Sequence, residues 1–395
     1  MEQPMRFGTF IGPLHDPAHN PTLAIRRDLE LIEFLDELGY DEAWIGEHHS
    51  NGYETIPAPE IFIAAAAERT KRIRLGTGVV SLPYHHPFIV ADRMVLLDHL
   101  TRGRMMFGVG PGAFPSDSHM MGLDFAQARP KMAQGLDAIL RLLLDDEPVT
   151  MQTEWFTLNE ARLNLRPYSY PCFEVAVASA ISPSGASLAG KHGVSLLSMA
   201  GATEAGFESL RNLWGIVEEQ ATKYDQAVDR SNWRVVGFYH LADTEEQARK
   251  DVRFGLQALM RFFAAGIPLF PVNKDADFSK PDEIIDLLND TGIAVIGTPD
   301  RMVETIQRFK DQTGGFGCFL AQHHDLANRE ATMYSYELMM RHVAPVFQGS
   351  TKRATGNIEW IEAQGGKFID YATKAWDAAR QRYEAERTPK FVELR

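Results

Sequence analysis

Apolar positions in the first third of the chain form short runs, each followed by a longer segment with helical spacing. The runs MRFGTFI, DEAWIG, IRLGTGVV and RMMFGVG predict β-strands. In the first intervening segment, Leu31, Leu35 and Leu38 recur at helical spacing, and Gly39 is typical of a helix C-terminus. Short strands alternating with helices predict parallel strands joined by right-handed crossovers.

The same alternation returns in the second half, in the runs FEVAVAS, VSLLSM, WRVVGFYHLA, IAVIG and GCFLAQ. Prolines and polar residues interrupt it at about 264–292, which predicts an insertion before the last strands. Counting about eight strand segments favours a closed (β/α)8 TIM barrel, in the α/β class, over the alternative of an open doubly wound sheet.

The end of the chain, residues 349–395, has no strand pattern, and its apolar residues share one helical face. They are Ile361, Phe368, Ala372, Ala375 and Ala379. This pattern predicts a helical tail that packs on the barrel or on a neighbouring subunit, and a loosely docked tail is the alternative. The predicted domains are therefore a barrel at 1–348 and a C-terminal helical extension at 349–395.

The net charge of -13, without a cluster of Lys and Arg, disfavours nucleic acid and anionic lipid as partners. Cys172 and Cys318 have neither CxxC nor Cys/His spacing, so we expect neither a disulfide framework nor a zinc site. The start, MEQPMRFGTFIGPL, lacks a basic region and a sustained apolar run. No later segment approaches the ~20 apolar residues that span a bilayer. These features predict a cytoplasmic protein.

In an α/β barrel the reacting groups lie just after the C-terminal ends of the strands. Glu47, His48 and His49 follow the second strand, and a histidine there can move a proton near neutral pH. A structural histidine held by hydrogen bonds is the alternative. His85 and His86 follow the third strand and raise the question of a metal, but sequence cannot show that ligands converge, and no metal is predicted.

Glycines end the third and fourth predicted strands, at Gly78 beside Val79 and at Gly110 and Gly112. Glycine at a strand end lets a flat ligand or another backbone approach closely. The spacing of the fourth-strand glycines resembles a dinucleotide fingerprint, but no G-x-x-G-opened helix follows, so that match fails.

The strand FEVAVAS leads into Ser182, Pro183, Ser184 and Gly185, ahead of an alanine-rich helix. Ser182 suits the N-cap and Pro183 the first helical position. Free amides, the helix dipole and two hydroxyl groups would form a phosphate cradle, although capping alone explains the Ser-Pro pair. Gln322-His323-His324-Asp325 follows the final strand and either lines the mouth or caps the next helix.

Several Met and Phe residues could line a hydrophobic substrate pocket, with Phe114 and Met120 as the principal candidates. Met121, Phe262 and Phe263 have the same character. Such residues are also typical of an ordinary core, which is the alternative.

Taken in order, EHH, GTGVVSLPYHHP, LLDHLTRGRMMFGVGPG, ASAISPSG and GTPDRMVETIQRF resemble the bacterial luciferase-like flavin-dependent monooxygenases. The resemblance runs from residue 5 to about residue 347. The stretches PGAFPSDSHMMG and SYELMMRHVAPVFQ are most similar to the group that contains limonene monooxygenase and the diketocamphane monooxygenases.

This resemblance implies FMN at the C-terminal mouth of the barrel, a homodimer, and reduced FMN supplied by a separate NAD(P)H-flavin reductase. It implies that dioxygen and a small hydrophobic substrate, a terpene-like alkene or a cyclic ketone, are the other reactants. His48 would lie near the flavin, and Gly78–Val79 would be a cis non-proline peptide beneath the ring.

For the phosphate, the resemblance implies Ser179 and Ser182. Two positions depart from luciferase, which has an arginine where this chain has Pro111 and a glutamate where it has Ala178. The phosphate must therefore be held by the turn from Ser182 to Gly185 or by a cation that the sequence does not identify.

Three alternatives stay open. A deazaflavin-dependent oxidoreductase shares the fold and transfers hydride without dioxygen. A metal-dependent barrel hydrolase would use His48, His49, His85 and His324. A non-catalytic flavin-binding partner subunit would bind without turnover.

Overall fold

The computed structural model describes residues 3–179, 182–199, 204–264 and 278–387. This part of the chain divides into two compact units, one ending at Gln348 and the other beginning at Gly349. All strands that the structure describes belong to the first unit.

Eight of the described strands close into a parallel barrel in the order β1-β2-β3-β4-β7-β8-β9-β11, with β11 returning to β1. The predicted (β/α)8 class is therefore confirmed, and the open sheet is excluded. The strands in chain order are β1 (Arg6–Ile11), β2 (Glu42–Ile45), β3 (Arg74–Ser81), β4 (Met105–Gly110), β5 (Val149–Gln152), β6 (Thr157–Ala161), β7 (Glu174–Ser179), β8 (Ser195–Ser198), β9 (Trp233–Leu241), β10 (Ala294–Gly297) and β11 (Cys318–His323).

Three strands lie outside the barrel wall. β10 pairs with the C-terminal half of β9, whose N-terminal half pairs with β11, so the run IAVIG is an extra strand and not one of the eight. β5 and β6 form an antiparallel hairpin that the sequence pattern did not predict. Polar residues interrupt both of its strands, so neither produced a clear apolar run.

The helices follow the strands as the alternation predicted. Asn20 caps the first helix by accepting hydrogen bonds from two backbone amides, and Gly39 ends it with φ +85°. The described helices are α1 (Pro21–Leu38), α2 (Pro59–Ala67), α3 (Pro87–Thr101), α4 (Pro115–Met120), α5 (Ala128–Leu144), α6 (Ser184–His192), α7 (Glu204–Lys223), α8 (Glu245–Val252), α9 (Leu256–Ala264), α10 (Pro281–Asp290), α11 (Pro299–Thr313), α12 (Arg329–Leu338), α13 (Ala344–Gln348) and α14 (Lys352–Arg387).

Two apolar layers surround the barrel wall because successive side chains of a strand face opposite sides. In β4, Met106 belongs to the small cluster inside the barrel, whereas Phe107 belongs to the large cluster between strands and helices. Trp44 of β2 is fully buried in the inner cluster. The interior is therefore a packed core below the mouth.

An ion network closes the N-terminal end of the barrel. The fully buried guanidinium of Arg234 lies 2.6 Å from Oε2 of Glu42 through Nε, and 2.6 Å from Oε1 of Glu174 through Nη1. Arg6 pairs with Glu42 at 2.7 Å, and Arg74 pairs with Glu174 at 2.8 Å. Each of these residues stands in the first two positions of its strand, so the network joins five strands at one end.

This pairing keeps the network charged. Burial, the largest single influence, would raise the pKa of Glu42 and of Glu174, but the charge and hydrogen bonds of Arg234, together with the charge of Arg6 at Glu42 and of Arg74 at Glu174, outweigh it. The pKa of Glu174 falls to about 2, and that of Glu42 lies below its ordinary value.

The predicted insertion at 264–292 is described only in part, since residues 265–277 lie outside the described residues. Its later part contains α10, whose buried Ile284, Ile285 and Leu288 join a cluster with residues of α8 and α9. The tail contains the long helix α14, on which the ring of Trp360 lies 5.0 Å from that of Phe368. The division into a flavin-binding domain and a tail domain stays a prediction.

In the described ranges, no helix has both the length and the apolar character needed to cross a lipid bilayer.

Candidate functional site

A cavity of about 490 Å³ opens at the C-terminal end of the barrel. Residues at the ends of β1, β3 and β7 and in the loops after β2 and β4 line it, and its volume is in the range typical of small-molecule sites. Its place agrees with the rule that α/β barrels carry their sites at this face.

One wall of the cavity is apolar. Phe10, Val79, Leu197, Met199 and Phe238 line it. A wall of this kind favours a flat apolar ligand and lowers the local dielectric, which strengthens charge interactions inside the cavity.

His48, in the loop after β2, lies in this cavity with its ring 4.6 Å from that of Phe114. Its Nε2 is 3.4 Å from Oε1 of Glu54, and its buried Nδ1 has no hydrogen-bond partner within the described part of the chain. Burial lowers the pKa of His48 to about 4, so its imidazole is neutral at pH 7.

Glu54 also lines the cavity, with its side chain 7% exposed. Burial raises the pKa of this carboxyl to about 8, and the nearby charge of Asp117 acts in the same direction. The side-chain amide of Asn51 donates a hydrogen bond to Glu54 and opposes the rise. The cavity thus contains a carboxyl group that is largely protonated at neutral pH.

Glu47 behaves differently from Glu54, although both are buried. Nε2 of His49 lies 3.0 Å and Nε2 of His85 lies 2.7 Å from Oε1 of Glu47, and the amide of Ser81 donates to its other oxygen at 2.9 Å. Burial acts to raise the pKa of Glu47, but these hydrogen bonds outweigh it and the pKa lies below its ordinary value. Glu47 therefore ties the loop after β2 to the end of β3.

A cluster of hydroxyl groups forms one pole of the cavity. The hydroxyl of Ser182 lies 3.0 Å from that of Ser184 and accepts a hydrogen bond from the Ser184 amide at 3.3 Å. Ser179 donates to the carbonyl of Ser182 at 3.1 Å. The predicted helix start shifts by one residue, since α6 begins at Ser184 and Pro183 stands immediately before it.

Arg129, near the start of α5, lines the same cavity. It makes no ion pair with any of the described residues, so its charge is available to an anion. The three hydroxyl groups and the N-terminus of α6 form a site suited to a phosphate, and Arg129 adds a positive charge to the lining of the same cavity.

At the ends of β3 and β4 and just after β4, neighbouring atoms leave little room for a side chain larger than that of glycine. The Gly78–Val79 peptide is cis, as the resemblance implied. A Cβ at Gly110 would lie 2.5 Å from a methyl of Val79, and one at Gly112, whose φ is +87°, would lie 2.2 Å from the hydroxyl of Tyr84. Larger residues there would displace the wall of the cavity.

His324, after β11, is a second neutral histidine of the cavity. Burial lowers its pKa to about 4, and its ring lies 5.2 Å from that of Phe238. Its buried Nε2 has no hydrogen-bond partner among the residues described. Of the two roles that the sequence allowed for it, the structure favours lining the mouth.

The family model for luciferase-like monooxygenases matches residues 5–315. The chain belongs to the luciferase-like monooxygenase family. It is an enzyme of the flavin-dependent monooxygenase type, as expected from the sequence.

Two curated members of the family match nearly the whole chain. Limonene 1,2-monooxygenase of Rhodococcus erythropolis is 46% identical over 381 residues, which cover 96% of each chain. The 4-hydroxyprotoasukamycin monooxygenase of Streptomyces nodosus subsp. asukaensis is 45% identical over 91% of this chain and 96% of its own. The predicted similarity to the limonene monooxygenase group is confirmed.

A solved structure of the family contains a flavin. The oxygenating constituent of 3,6-diketocamphane monooxygenase from Pseudomonas putida, in complex with FMN, has a TM-score of 0.71 and 25% identity. The match covers 87% of this chain and 99% of that chain.

The structure brings most of the predicted site residues of this luciferase-like enzyme to one cavity. They are His48, Gly78, Val79, Gly112, Phe114, Ser179, Ser182, Ser184 and Gly185. Gly110 lies behind the wall, because Val79 fills the space that its side chain would take. Met120 does not line the cavity, since α4 directs it outward and leaves it 67% exposed.

Glu54 and Arg129 were not predicted from the sequence. Glu54 follows the second strand within the same loop as His48, so its position relative to a strand end was a usable signal. Arg129 carried no such signal, because it lies beyond α4, in a helix whose other residues pack on the barrel.

Throughout the described ranges, no group of three or more His, Cys, Asp or Glu is arranged to hold a metal ion. The histidines of the hydrolase alternative are divided, because His49 and His85 face Glu47, whereas His48 faces Glu54.

Proposed function

We propose that this enzyme is the oxygenase of a two-component system, which uses reduced FMN and dioxygen to oxygenate a small hydrophobic substrate. The observation that carries the proposal is a single cavity lined by the hydroxyl groups around Ser182, by Arg129, by apolar side chains, and by ionisable groups at His48 and Glu54. These parts correspond to the phosphate, the ring and the proton chemistry of a reduced flavin.

The residues of the cavity fit FMN. The hydroxyls of Ser179, Ser182 and Ser184, the backbone at Gly185 and the guanidinium of Arg129 would hold its phosphate. The wall at Gly78, Val79 and Phe10 would support its ring, while Gly110 and Gly112 keep that wall and its rim in place. When bound, reduced FMN supplies the two electrons with which dioxygen is activated.

His48 would act on a proton beside the ring, as its place in the cavity and its unpartnered Nδ1 suggest. The apolar wall would exclude water, so that activated oxygen is transferred to the substrate and not lost as peroxide.

The substrate would occupy the part of the cavity lined by Phe114, Leu259 and Phe262. A site with these side chains favours a terpene-like alkene or a cyclic ketone over a charged compound. The named substrates of the relatives, limonene and diketocamphane, support this class.

We further propose a separate NAD(P)H-flavin reductase as partner, a cytoplasmic location and a homodimer. Exposed apolar side chains on α2 and α3 support an interface: Ile61, Ile89, Leu96 and Leu100. Sedimentation of the wild type and of an Ile61→Glu, Leu96→Glu double variant would test it, with a monomeric wild type as the contradicting outcome.

The test of the function is to supply reduced FMN and dioxygen and to screen terpenes and cyclic ketones for a product that carries one added oxygen atom. We expect ¹⁸O from labelled dioxygen in the product. Binding of FMN without any product would support a partner subunit. Turnover with a deazaflavin in the absence of dioxygen would support hydride transfer instead.

A further inference from the structure

A line of polar side chains leads from the cavity to the surface beside His48. Glu54 lines the cavity, and its Oε1 lies 3.4 Å from Nε2 of His48. On the other side of the ring, Nδ1 lies 4.0 Å from Oδ2 of Asp117. Asp117 accepts a hydrogen bond from Ser50, whose hydroxyl lies 2.7 Å from that of the exposed Ser116.

We propose that this line is a proton path, in which Glu54 gives its proton to the reaction and His48, Asp117 and Ser50 return one from solvent at Ser116. The inference rests on the proposed function, because anionic reduced flavin, dioxygen and substrate yield oxidised flavin, oxygenated product and water only when one proton is taken up.

The proton balance of the path is simple. The O–H bond of Glu54 breaks towards the cavity, and its electron pair stays on the carboxylate. The carboxylate then takes the proton from Nε2 of His48, while Nδ1 of the same ring takes one that enters through Ser50 and Asp117. One proton leaves the path at the cavity and one enters from solvent. The imidazole of His48 then changes tautomer, so that its hydrogen is again on Nε2 and the path is restored.

Glu54 is the member of the path that can store a proton. It is buried, the side-chain amide of Asn51 donates a hydrogen bond to it, and the carboxylate of Asp117 lies across His48 from it. Burial raises the pKa of Glu54 to about 8, so the carboxyl is mostly protonated at pH 7 and can donate.

His48 can pass a proton on but cannot store one. Burial lowers its pKa to about 4, the charge of Glu47 partly opposes this, and His49 adds to it. A hydrogen on Nε2, facing Glu54, leaves Nδ1 as a bare acceptor facing Asp117. This tautomer explains why Nδ1 is 4.0 Å from that carboxylate without a hydrogen bond, since two acceptors do not attract each other.

Glu54 is therefore the proton donor of the path, and His48 is the residue that returns a proton to it. Nuclear magnetic resonance of the flavin-free protein tests this without activity. We expect His48 to be neutral with its hydrogen on Nε2, and the side-chain carboxyl carbon of Glu54 to titrate near pH 8. Glu60→Gln, at a glutamate of α2 that pairs with Arg93, is the control and should leave both signals unchanged.

Two results of this experiment would overturn the proposal: an ionised Glu54 throughout the range from pH 6 to pH 9, or a hydrogen on Nδ1 of His48. Both measurements use the wild type, so they do not depend on whether a variant folds. They also do not require FMN, so a failure of the proposed function, seen as no flavin binding, is distinguished from a failure of the path.

With FMN and substrate, Glu54→Gln should reduce product formation at pH 7 by about 10²-fold, at the low end of what a positioned acid contributes. It should also abolish the decline of coupling that we expect above pH 8 in the wild type. Ser50→Ala should slow repeated turnover but leave the product yield of a single turnover unchanged. A wild-type pH profile for Glu54→Gln, or equal losses for Ser50→Ala in both regimes, would contradict the path.

Discussion

Both ends of the barrel bury ionisable side chains, but the pair Glu42 and Glu174 at one end is ionised, whereas the pair Glu54 and His48 at the other end is neutral. At the N-terminal end, Glu42 and Glu174 face Arg234, and their pKa values lie below the ordinary range. At the mouth, Glu54 and His48 have no strong ionic partner within the described part of the chain, and burial moves both pKa values towards the neutral form.

The difference shows that burial alone does not decide the charge of a group. Removal from water always disfavours the ionised form, and a paired opposite charge can reverse this effect. The closed end therefore keeps fixed charges that hold the strands together, while the mouth, beside the ionised Glu47, also keeps two neutral groups, Glu54 and His48, that can exchange protons. Substitutions at one end of the barrel can test this difference without changing the other end.

Replacing Arg234 should have the largest effect. Arg234→Met leaves the buried carboxylate of Glu42 without its main partner, and we expect a loss of about 3–5 kcal/mol in the free energy of unfolding. Urea unfolding measures it. Arg26→Met, which removes an exposed pair with Glu30, is the control and should cost no more than about 1 kcal/mol. Equal losses in the two variants would remove the distinction between the buried network and a surface pair.

Replacing His48 should affect chemistry and not binding. His48→Ala should keep its affinity for FMN but lose about 10²-fold in product formed per dioxygen consumed, because a positioned proton carrier is missing. Parallel measurements of oxygen uptake and product give this ratio. His19→Ala, at an exposed position, should match the wild type. Unchanged coupling in His48→Ala would remove His48 from the mechanism.

Replacing Arg129 should weaken FMN binding by about tenfold or more, as expected for the loss of a charge-assisted hydrogen bond. Riboflavin, which lacks the phosphate, should bind to Arg129→Ala and to the wild type equally. Fluorescence titration measures both ligands. Arg141→Ala, on the same helix but paired with Asp145, is the control. An equal loss for riboflavin would show that Arg129 does not contact the phosphate.

The stability of the fold should depend on Glu54 in a defined pH window. Its pKa is about 8 in the folded protein and near 4.5 when exposed, so between these values unfolding releases a proton. As pH rises through this window, the wild type should lose stability relative to Glu54→Gln by on the order of 1 kcal/mol per pH unit. Chemical unfolding at several pH values measures the difference, and a constant difference would contradict the raised pKa.

The barrel was predictable because its strands are apolar runs that alternate with segments of helical spacing along most of the chain. The hairpin of β5 and β6 was not, because both strands are short and about half of their positions are polar. The run IAVIG is the opposite case. It has the apolar pattern of a strand and forms one, but this strand pairs with the C-terminal end of β9 and lies outside the barrel.

A place in the cavity was predictable where a residue lies just after a strand, as for His48 and Ser182. Phe114 and Met120 show the limit, because six residues apart in sequence they lie on opposite sides of the wall. Arg129 shows the same limit of prediction from sequence, since its place in the cavity depends on how α5 packs. Such residues are fixed by tertiary structure, and no local pattern identifies them.

The segment from Pro111 to Arg129 has a consequence for redesign of the enzyme. It carries Phe114, which contacts the ring of His48, then Asp117, and finally Arg129, which also lines the cavity. On the roles proposed for Asp117 and Arg129, exchanging this loop with that of a relative to change selectivity would also alter cofactor retention and proton access. Libraries aimed at new products would do better to vary Leu259 and Phe262, which lie on a different stretch of the chain.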